Sequence, residues 1–250
     1  MRSIQLRISS PSVITTLPRR LQGDDLEEYL SSDGSFLLQL KKDSEIRFGP
    51  AFYKAAIYSG DGKLVLDFGP RRFFSYSTSG LESSKSMGPW NPTSPSVALV
   101  ELLDPNPAPG KKIARLSVFD ILRHAPLSAW DFESLVTHKM WSSNGLLYLF
   151  RDVYTVYTLR IGSSSLASVS NSKSPHCFLL GDDFVCVIEE SGAVSVFDGD
   201  SGALLASDHL SCAGYAVRHA VVKESRNAVE VTLKSKADPH ADKLSCVIAI

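Results

Sequence analysis

The chain has 250 residues, of which 44% are hydrophobic, 21% charged and 9% aromatic, and this is the composition of an ordinary globular protein with one large or two small cores. Its 26 Lys and Arg residues nearly balance 27 Asp and Glu, so no overall positive field attracts nucleic acid or an anionic membrane. No apolar run approaches the roughly 20 residues that a membrane-spanning helix needs. We therefore expect neither nucleic-acid binding nor a membrane span.

The first 23 residues contain four arginines and no acidic residue, which is the composition of a mitochondrial transit peptide. Residues 4–8 alternate like a strand, however, and Pro11 and Pro18 would interrupt the amphipathic helix that a transit peptide forms. We therefore expect a structural strand here and an intracellular location, cytoplasmic or nuclear, with mitochondrial import as the alternative.

The next part of the chain predicts a short helix followed by a group of strands. Residues 24–30 carry early acidic residues that suit a helix N-terminus. Four strands are then predicted at 35–40, 45–48, 52–58 and 63–68, with a hairpin turn at Ser59-Gly60-Asp61-Gly62.

Two segments interrupt the strand pattern. Residues 77–96 are rich in Ser, Gly and Pro, and this composition predicts a long surface loop. A pair of strands follows at 97–103 and 113–119. Apolar residues at loosely helical spacing, broken by Pro126, then predict a short helical insertion at 119–140.

Self-similarity is the most informative feature of the sequence. Three related tetrads begin 38 and then 40 residues apart: Ser117-Val118-Phe119-Asp120, Thr155-Val156-Tyr157-Thr158 and Ser195-Val196-Phe197-Asp198. Each has the small, β-branched, aromatic, polar order of a half-buried strand. A spacing near 40 is typical of a four-stranded propeller blade.

Strands and turn residues recur around these tetrads. The strands are predicted at 145–150, 153–161 and 166–169, then at 177–180, 184–188, 193–197 and 203–206, and finally at 216–222, 228–233 and 244–250. Gly and Asp between them supply the backbone conformations of tight hairpins. The sequence therefore predicts a single all-β domain over residues 1–250.

One unit carries a family resemblance. In residues 184–205, Ala193-Val194-Ser195-Val196-Phe197-Asp198 precedes Ser201-Gly202. This resembles the third strand, turn and fourth strand of blades in WD-repeat and pyrroloquinoline-type β-propellers, where an aromatic-Asp pair precedes a Thr/Ser-Gly turn. Phe197 stands where Trp is usual, and no Gly-His dipeptide opens a blade, so the His–Asp network of strict WD repeats is not implied.

The resemblance implies a β-propeller of four-stranded antiparallel blades with short helical insertions. A chain of 250 residues corresponds to about six blades, whereas the predicted strands fill four or five. The propeller would then be incomplete, open or closed by another polypeptide, and strand 244–250 would be an edge in need of a partner.

The candidate partner-binding residues are Arg71, Arg72, Phe73, Phe74 and Trp90, because Arg and aromatic side chains dominate interface hot spots. The alternative is that these aromatic side chains pack at the edge of a blade.

The remaining motifs favour structure over chemistry. The four cysteines lack a CxxC pair and are expected to be small core residues. Gly199-Asp200-Ser201-Gly202 matches part of the trypsin-like nucleophile motif, and Asp198 with Asp200 begins like a calcium loop, but turn chemistry accounts for both. Residues 238–242 gather two Asp and one His and are expected to form an exposed hairpin loop. We therefore expect no catalytic residue, cofactor or metal site.

Fold analogy favours a non-catalytic protein-interaction scaffold that works as a subunit of a larger assembly with other proteins. The alternative is a propeller-fold hydrolase or lyase with a carboxylate-lined central channel. A third interpretation, a pair of carbohydrate-binding β-sandwiches, fits short strands with regular turns but does not account for the repeat near 40 residues.

Overall fold

The computed structural model of the chain describes residues 6–8, 12–14, 26–43, 52–74, 89–103, 110–134, 136, 138–152, 155–163, 166–170, 176–210, 213–223, 227–238 and 243–250. Within these residues the fold is all-β, with 21 strands in several antiparallel sheets and no helix. The first two strands are β1 (Arg7–Ile8) and β2 (Ser12–Ile14).

The next eight strands form one sheet. They are β3 (Leu26–Leu30), β4 (Phe36–Lys42), β5 (Phe52–Ser59), β6 (Leu64–Asp67), β7 (Arg72–Phe74), β8 (Ser96–Leu102), β9 (Ala114–Asp120) and β10 (Ala125–Phe132). The order is β10-β9-β8-β7-β5-β4-β3, and β6 also pairs with β5. Because β7 and β6 pair with opposite ends of β5, the sheet joins two four-stranded meanders, β3–β6 and β7–β10.

Two separate four-stranded sheets follow, each in sequence order. The first contains β11 (His138–Trp141), β12 (Leu147–Arg151), β13 (Val156–Arg160) and β14 (Leu166–Ser170). The second contains β15 (His176–Leu180), β16 (Phe184–Ile188), β17 (Ala193–Asp198) and β18 (Leu204–His209). The predicted strands of both units are confirmed. The three repeated tetrads lie on β9, β13 and β17, each the third strand of its meander, except that Thr155 immediately precedes β13.

The last sheet unites the two ends of the described chain. It contains β19 (Tyr215–Val222), β20 (Ala228–Ser235) and β21 (Lys243–Ala249), in the order β1-β21-β20-β19, with β2 also on β21. Arg7 pairs with Ala249, and Ser12 pairs with Ser245. The N-terminal strand prediction is confirmed at residues 7–8. The expectation that strand 244–250 is a free edge was wrong, because β1 and β2 occupy that edge.

Both predicted helices were wrong. Residues 26–30 of the predicted helix 24–30 form β3, because their side chains alternate across a sheet and the strand pairs with β4. The predicted helical insertion at 119–140 contains the end of β9, a hairpin turn, β10 and the start of β11. In that turn the Asp120 carboxylate accepts hydrogen bonds from the Leu122 and Arg123 amides. Long-range pairing therefore overrides the local spacing of apolar residues. The predicted strand 45–48 lies outside the described residues.

Three apolar clusters link neighbouring sheets. One lies within the eight-stranded sheet, between β4–β5 and β8–β9. The second joins β7–β10 to the β11–β14 sheet. The third joins the β11–β14 and β15–β18 sheets to β19–β21. Each meander from β7 onward thus buries apolar side chains against the next one in the sequence.

One cross-strand ion pair gives a pH-dependent contribution to stability. The Arg115 guanidinium on β9 donates to Asp131 on β10 at 2.6 and 2.9 Å, and these hydrogen bonds hold the pKa of Asp131 below its usual range. A lowered folded-state pKa stabilises the fold above the unfolded-state pKa, and this contribution is lost as pH falls through the folded-state pKa.

We expect Asp131→Asn to lower the free energy of unfolding by about 0.5 kcal/mol at pH 7, since the pair is partly exposed, and by less as pH falls below about 4. Urea denaturation at several pH values measures this difference. The control is Glu133→Gln, which removes a more exposed, single contact of 3.1 Å to Lys112. A pH-independent difference between wild type and Asp131→Asn would contradict this assignment.

Candidate protein-interaction surface

The structure buries the aromatic part of the predicted partner-binding set. Phe73, Phe74 and Trp90 are all buried. Phe73 contacts the ring of Phe68 edge-on, and the Trp90 indole N–H donates to the Tyr29 carbonyl at 2.7 Å. These side chains do not form an exposed patch, and the packing alternative describes them. Trp90 and the buried Asn91 belong to the described part of the predicted surface loop 77–96, which consists of residues 89–95 and Ser96, the first residue of β8.

The two arginines of the set have different environments. The Arg72 Nε donates to Asp43 Oδ2 at 3.0 Å, and the Asp43 side chain is only 2% exposed. Arg71 is 51% exposed, and its Nε lies 3.8 Å from the Glu101 carboxylate. Arg72 therefore neutralises a buried carboxylate, whereas Arg71 is available to solvent.

Residues 89–95, here called the bridging segment, join the eight-stranded sheet to the β11–β14 sheet. The Ser32 hydroxyl donates to the Pro92 carbonyl at 2.9 Å on one side. On the other side, the Asn91 amide donates to the Gly145 carbonyl at 2.9 Å and the Trp141 indole to the Pro89 carbonyl at 3.0 Å.

The bridging segment contacts two copies of one turn, at residues 31–36 and 142–147. In the first, the Ser31 hydroxyl accepts from the Phe36 amide and donates to Asp33. In the second, the Ser142 hydroxyl accepts from the Leu147 amide and donates to the Asn144 side chain. Gly34 and Gly145 occupy equivalent positions, with φ of +74° and +67°. The turns share the pattern Ser-Ser-Asp/Asn-Gly, a repeat that was not among the predicted ones.

Further turn contacts join the β11–β14 and β15–β18 sheets. The Asp182 carboxylate accepts from the Asn144 amide at 3.1 Å and from the Ser143 hydroxyl. Arg160, at the end of β13, makes a bidentate ion pair with Asp200 in the β17–β18 turn. Those hydrogen bonds raise the pKa of Arg160.

The Gly199-Asp200-Ser201-Gly202 motif is part of this junction. The Ser201 hydroxyl donates to Asp198 at 2.8 Å, and the Gly199 carbonyl accepts from the buried Thr158 hydroxyl. A Cβ on Gly202 would lie 2.8 Å from the Ser168 carbonyl oxygen on β14 of the neighbouring sheet. Turn geometry and close approach of two sheets account for the motif.

One face of β3–β6 is exposed, and we call it the outer face. The register places Leu30, Leu37, Tyr58 and Leu64 in a row across the four strands. Leu30 and Leu64 are 63% and 55% exposed, and the two central members are half-buried. None of the four belongs to the three apolar clusters. We call this set the apolar row.

Charged side chains lie further along the outer face. Lys41 on β4 and Lys54 on β5 are both exposed and directly opposite in the register. Neither forms an ion pair within the part of the chain that the structure describes. Between these lysines and the apolar row, the Gln39 amide donates to Glu28 at 2.7 Å.

The outer face was not predicted, because residues 24–30 were expected to form a helix and β3 supplies one edge of this face. A signal was present in β4, where Leu37 interrupts the alternation expected of a strand with one solvent-facing side. Leu38 and Leu40 point into the core and are fully buried, so Leu37 lies on the opposite face.

The remaining motifs show no reactive arrangement among the described residues. Cys177, Cys186 and Cys246 are buried and not in disulfides, as the sequence predicts, and burial raises the pKa of Cys177 and Cys186 to about 12. No group of three His, Cys, Asp or Glu in the described ranges could hold a metal ion. Cys212 and most of residues 238–242 lie outside those ranges.

Comparison with known proteins adds no family assignment: no protein-family profile matches the chain, and no curated protein matches it. A search of the described residues for membrane spans found no helix that could cross a bilayer.

Proposed function

We propose that the chain is a β-propeller that acts as a non-catalytic interaction scaffold within a larger protein assembly. The observation that carries this proposal is a succession of four-stranded antiparallel meanders in which β11 lies against β15 and β15 against β19. These are the first strands of consecutive meanders, and adjacent first strands are what blades arranged around an axis require.

Two other features support the propeller. The last meander takes its outermost strand from β1 and β2, so both ends of the described chain are held in one blade. In addition, side-chain contacts join neighbouring meanders: Asn91 of the bridging segment, Asp182 in a hairpin turn and Arg160 at the end of β13 each contact the turn of another meander. Counted in this way, β3–β6, β7–β10, β11–β14, β15–β18 and the terminal sheet make five blades, and the exposed face of β3–β6 leaves this propeller open beside its first blade.

The interaction role rests on what this architecture exposes. The outer face of the first blade carries the apolar row on paired strands rather than on a loop. Exposed apolar surface on regular structure is characteristic of sites that bind other proteins.

Native isolation of the tagged chain with quantitative mass spectrometry tests the function, with an unrelated tagged protein of similar size as the control. We expect a small, fixed set of proteins at near-stoichiometric ratios, and a complex that is stable to gel filtration. A chain recovered alone as a stable monomer under the same conditions would contradict the scaffold role.

A further inference from the structure

We propose that the outer face of β3–β6 binds an acidic, amphipathic segment of a partner protein. This inference rests on the proposed interaction function and specifies its surface and the chemistry of the partner.

The apolar row defines one half of the site. Four strands spaced by about 4.8 Å give a row roughly 15 Å long, from Leu30 at one edge to Leu64 at the other. Leu30 and Leu64 at the two ends are exposed, and Leu37 and Tyr58 between them are half-buried. The four side chains form a continuous apolar strip. A strip of this size matches two or three apolar side chains of a partner segment.

The lysine pair defines the other half. Lys41 and Lys54 are directly opposite on neighbouring strands, an arrangement that is unfavourable for like charges. A carboxylate placed between them would relieve this repulsion, so the face is complementary to Asp or Glu. Lys41 lies four residues along β4 from Leu37, which is roughly 13 Å at the rise of a strand.

A second row of side chains lies between the apolar row and the lysine pair and limits what can bind. It has Glu28 and Asp67 at its two ends and Gln39 and Ala56 between them. A partner therefore needs side chains that are not acidic at this level, with apolar side chains on one side and carboxylates about 13 Å from them on the other. In an extended segment, apolar and acidic residues four positions apart meet this requirement.

Fluorescence anisotropy with the purified full chain tests the proposal. The probes are a synthetic peptide with leucines at one end and glutamates at the other, its twin with lysines replacing the glutamates, and a scrambled acidic peptide. We expect the acidic peptide to bind with a Kd on the order of 10 μM, and about tenfold more weakly to the Lys41→Glu/Lys54→Glu double variant. That variant should instead bind the lysine peptide.

Two further variants make the result specific. Lys223→Glu/Lys236→Glu makes the same charge change at exposed lysines that immediately follow β19 and β20, and it should leave binding unchanged. Leu30→Ser/Leu64→Ser should abolish binding while circular dichroism shows an intact fold.

Several outcomes would overturn the proposal: equal binding of the acidic and scrambled peptides, no acidic-peptide binding, or no effect of the Lys41 and Lys54 changes. If sedimentation shows that the wild-type chain is a dimer and that Leu30→Ser/Leu64→Ser dissociates it, the outer face binds a second copy of the chain instead. Stoichiometric partners in native isolation alongside any of these results would leave the scaffold function standing and place its contacts elsewhere.

Discussion

Gly145→Ala is expected to lower the free energy of unfolding by about 3–4 kcal/mol. About 1 kcal/mol comes from a side chain at positive φ, and the rest comes from overpacking and the disturbed hydrogen bond between the Asn91 amide and the Gly145 carbonyl. The added Cβ would overlap Asn91 Oδ1 and Thr93 Oγ1. Urea denaturation monitored by tryptophan fluorescence measures the loss.

Gly34→Ala is the matched control because Gly34 occupies the same position in the equivalent turn. Its φ is also positive, but a Cβ there meets no atom within 4 Å. We expect a loss of only about 1 kcal/mol, from backbone strain alone. Equal losses in the two variants would show that the bridging segment does not lock the two sheets together.

Arg72→Ala is expected to lower the free energy of unfolding by about 2–3 kcal/mol. Removing the guanidinium leaves the Asp43 carboxylate in a buried position, and loss of one partner from a buried pair is more costly than loss of a surface ion pair. Arg72 is one-third exposed, which keeps the expected loss below that of a fully buried pair. Thermal and urea denaturation give the value.

Arg71→Ala, at the neighbouring position, separates this effect from general loss of charge. Arg71 is half exposed and its contact to Glu101 is long, so the expected loss is at most about 0.5 kcal/mol. The double variant Asp43→Asn/Arg72→Ala should lose less than the sum of the single variants. An Arg72→Ala loss as small as the ~0.5 kcal/mol expected for Arg71→Ala would contradict a stabilising role for Arg72 beside the buried carboxylate.

The sequence predicts the β15–β18 meander well because its strands are short and apolar and its turns contain Gly and Asp. It does not predict β3, because Leu26 and Leu30 fit a helix or a strand equally well and only pairing with β4 decides. The pairing of β1 with β21 is also hidden, since it joins residues more than 200 positions apart and no local pattern records it.

The candidate site is likewise only partly predictable from the sequence. Arg-Arg-Phe-Phe at 71–74 suits an interface or a core, and its burial follows from β7 lying between β5 and β8. The apolar row becomes visible only when four strands are placed in register. Residue type alone therefore identifies side chains that suit an interface or a core, whereas strand order determines which of them are exposed to solvent.

The central claim is that the meanders, joined by their turns, form one scaffold that unfolds as a unit. Native-state hydrogen exchange tests it most directly. Amides at the centres of β5, β8, β12, β16 and β20 represent the five proposed blades. We predict that all five exchange with the same free energy, within about 1 kcal/mol, because opening one blade breaks the turn and core contacts of its neighbours. Exchange from one group of meanders at a free energy several kcal/mol below the rest would show independent folding units and contradict the single scaffold.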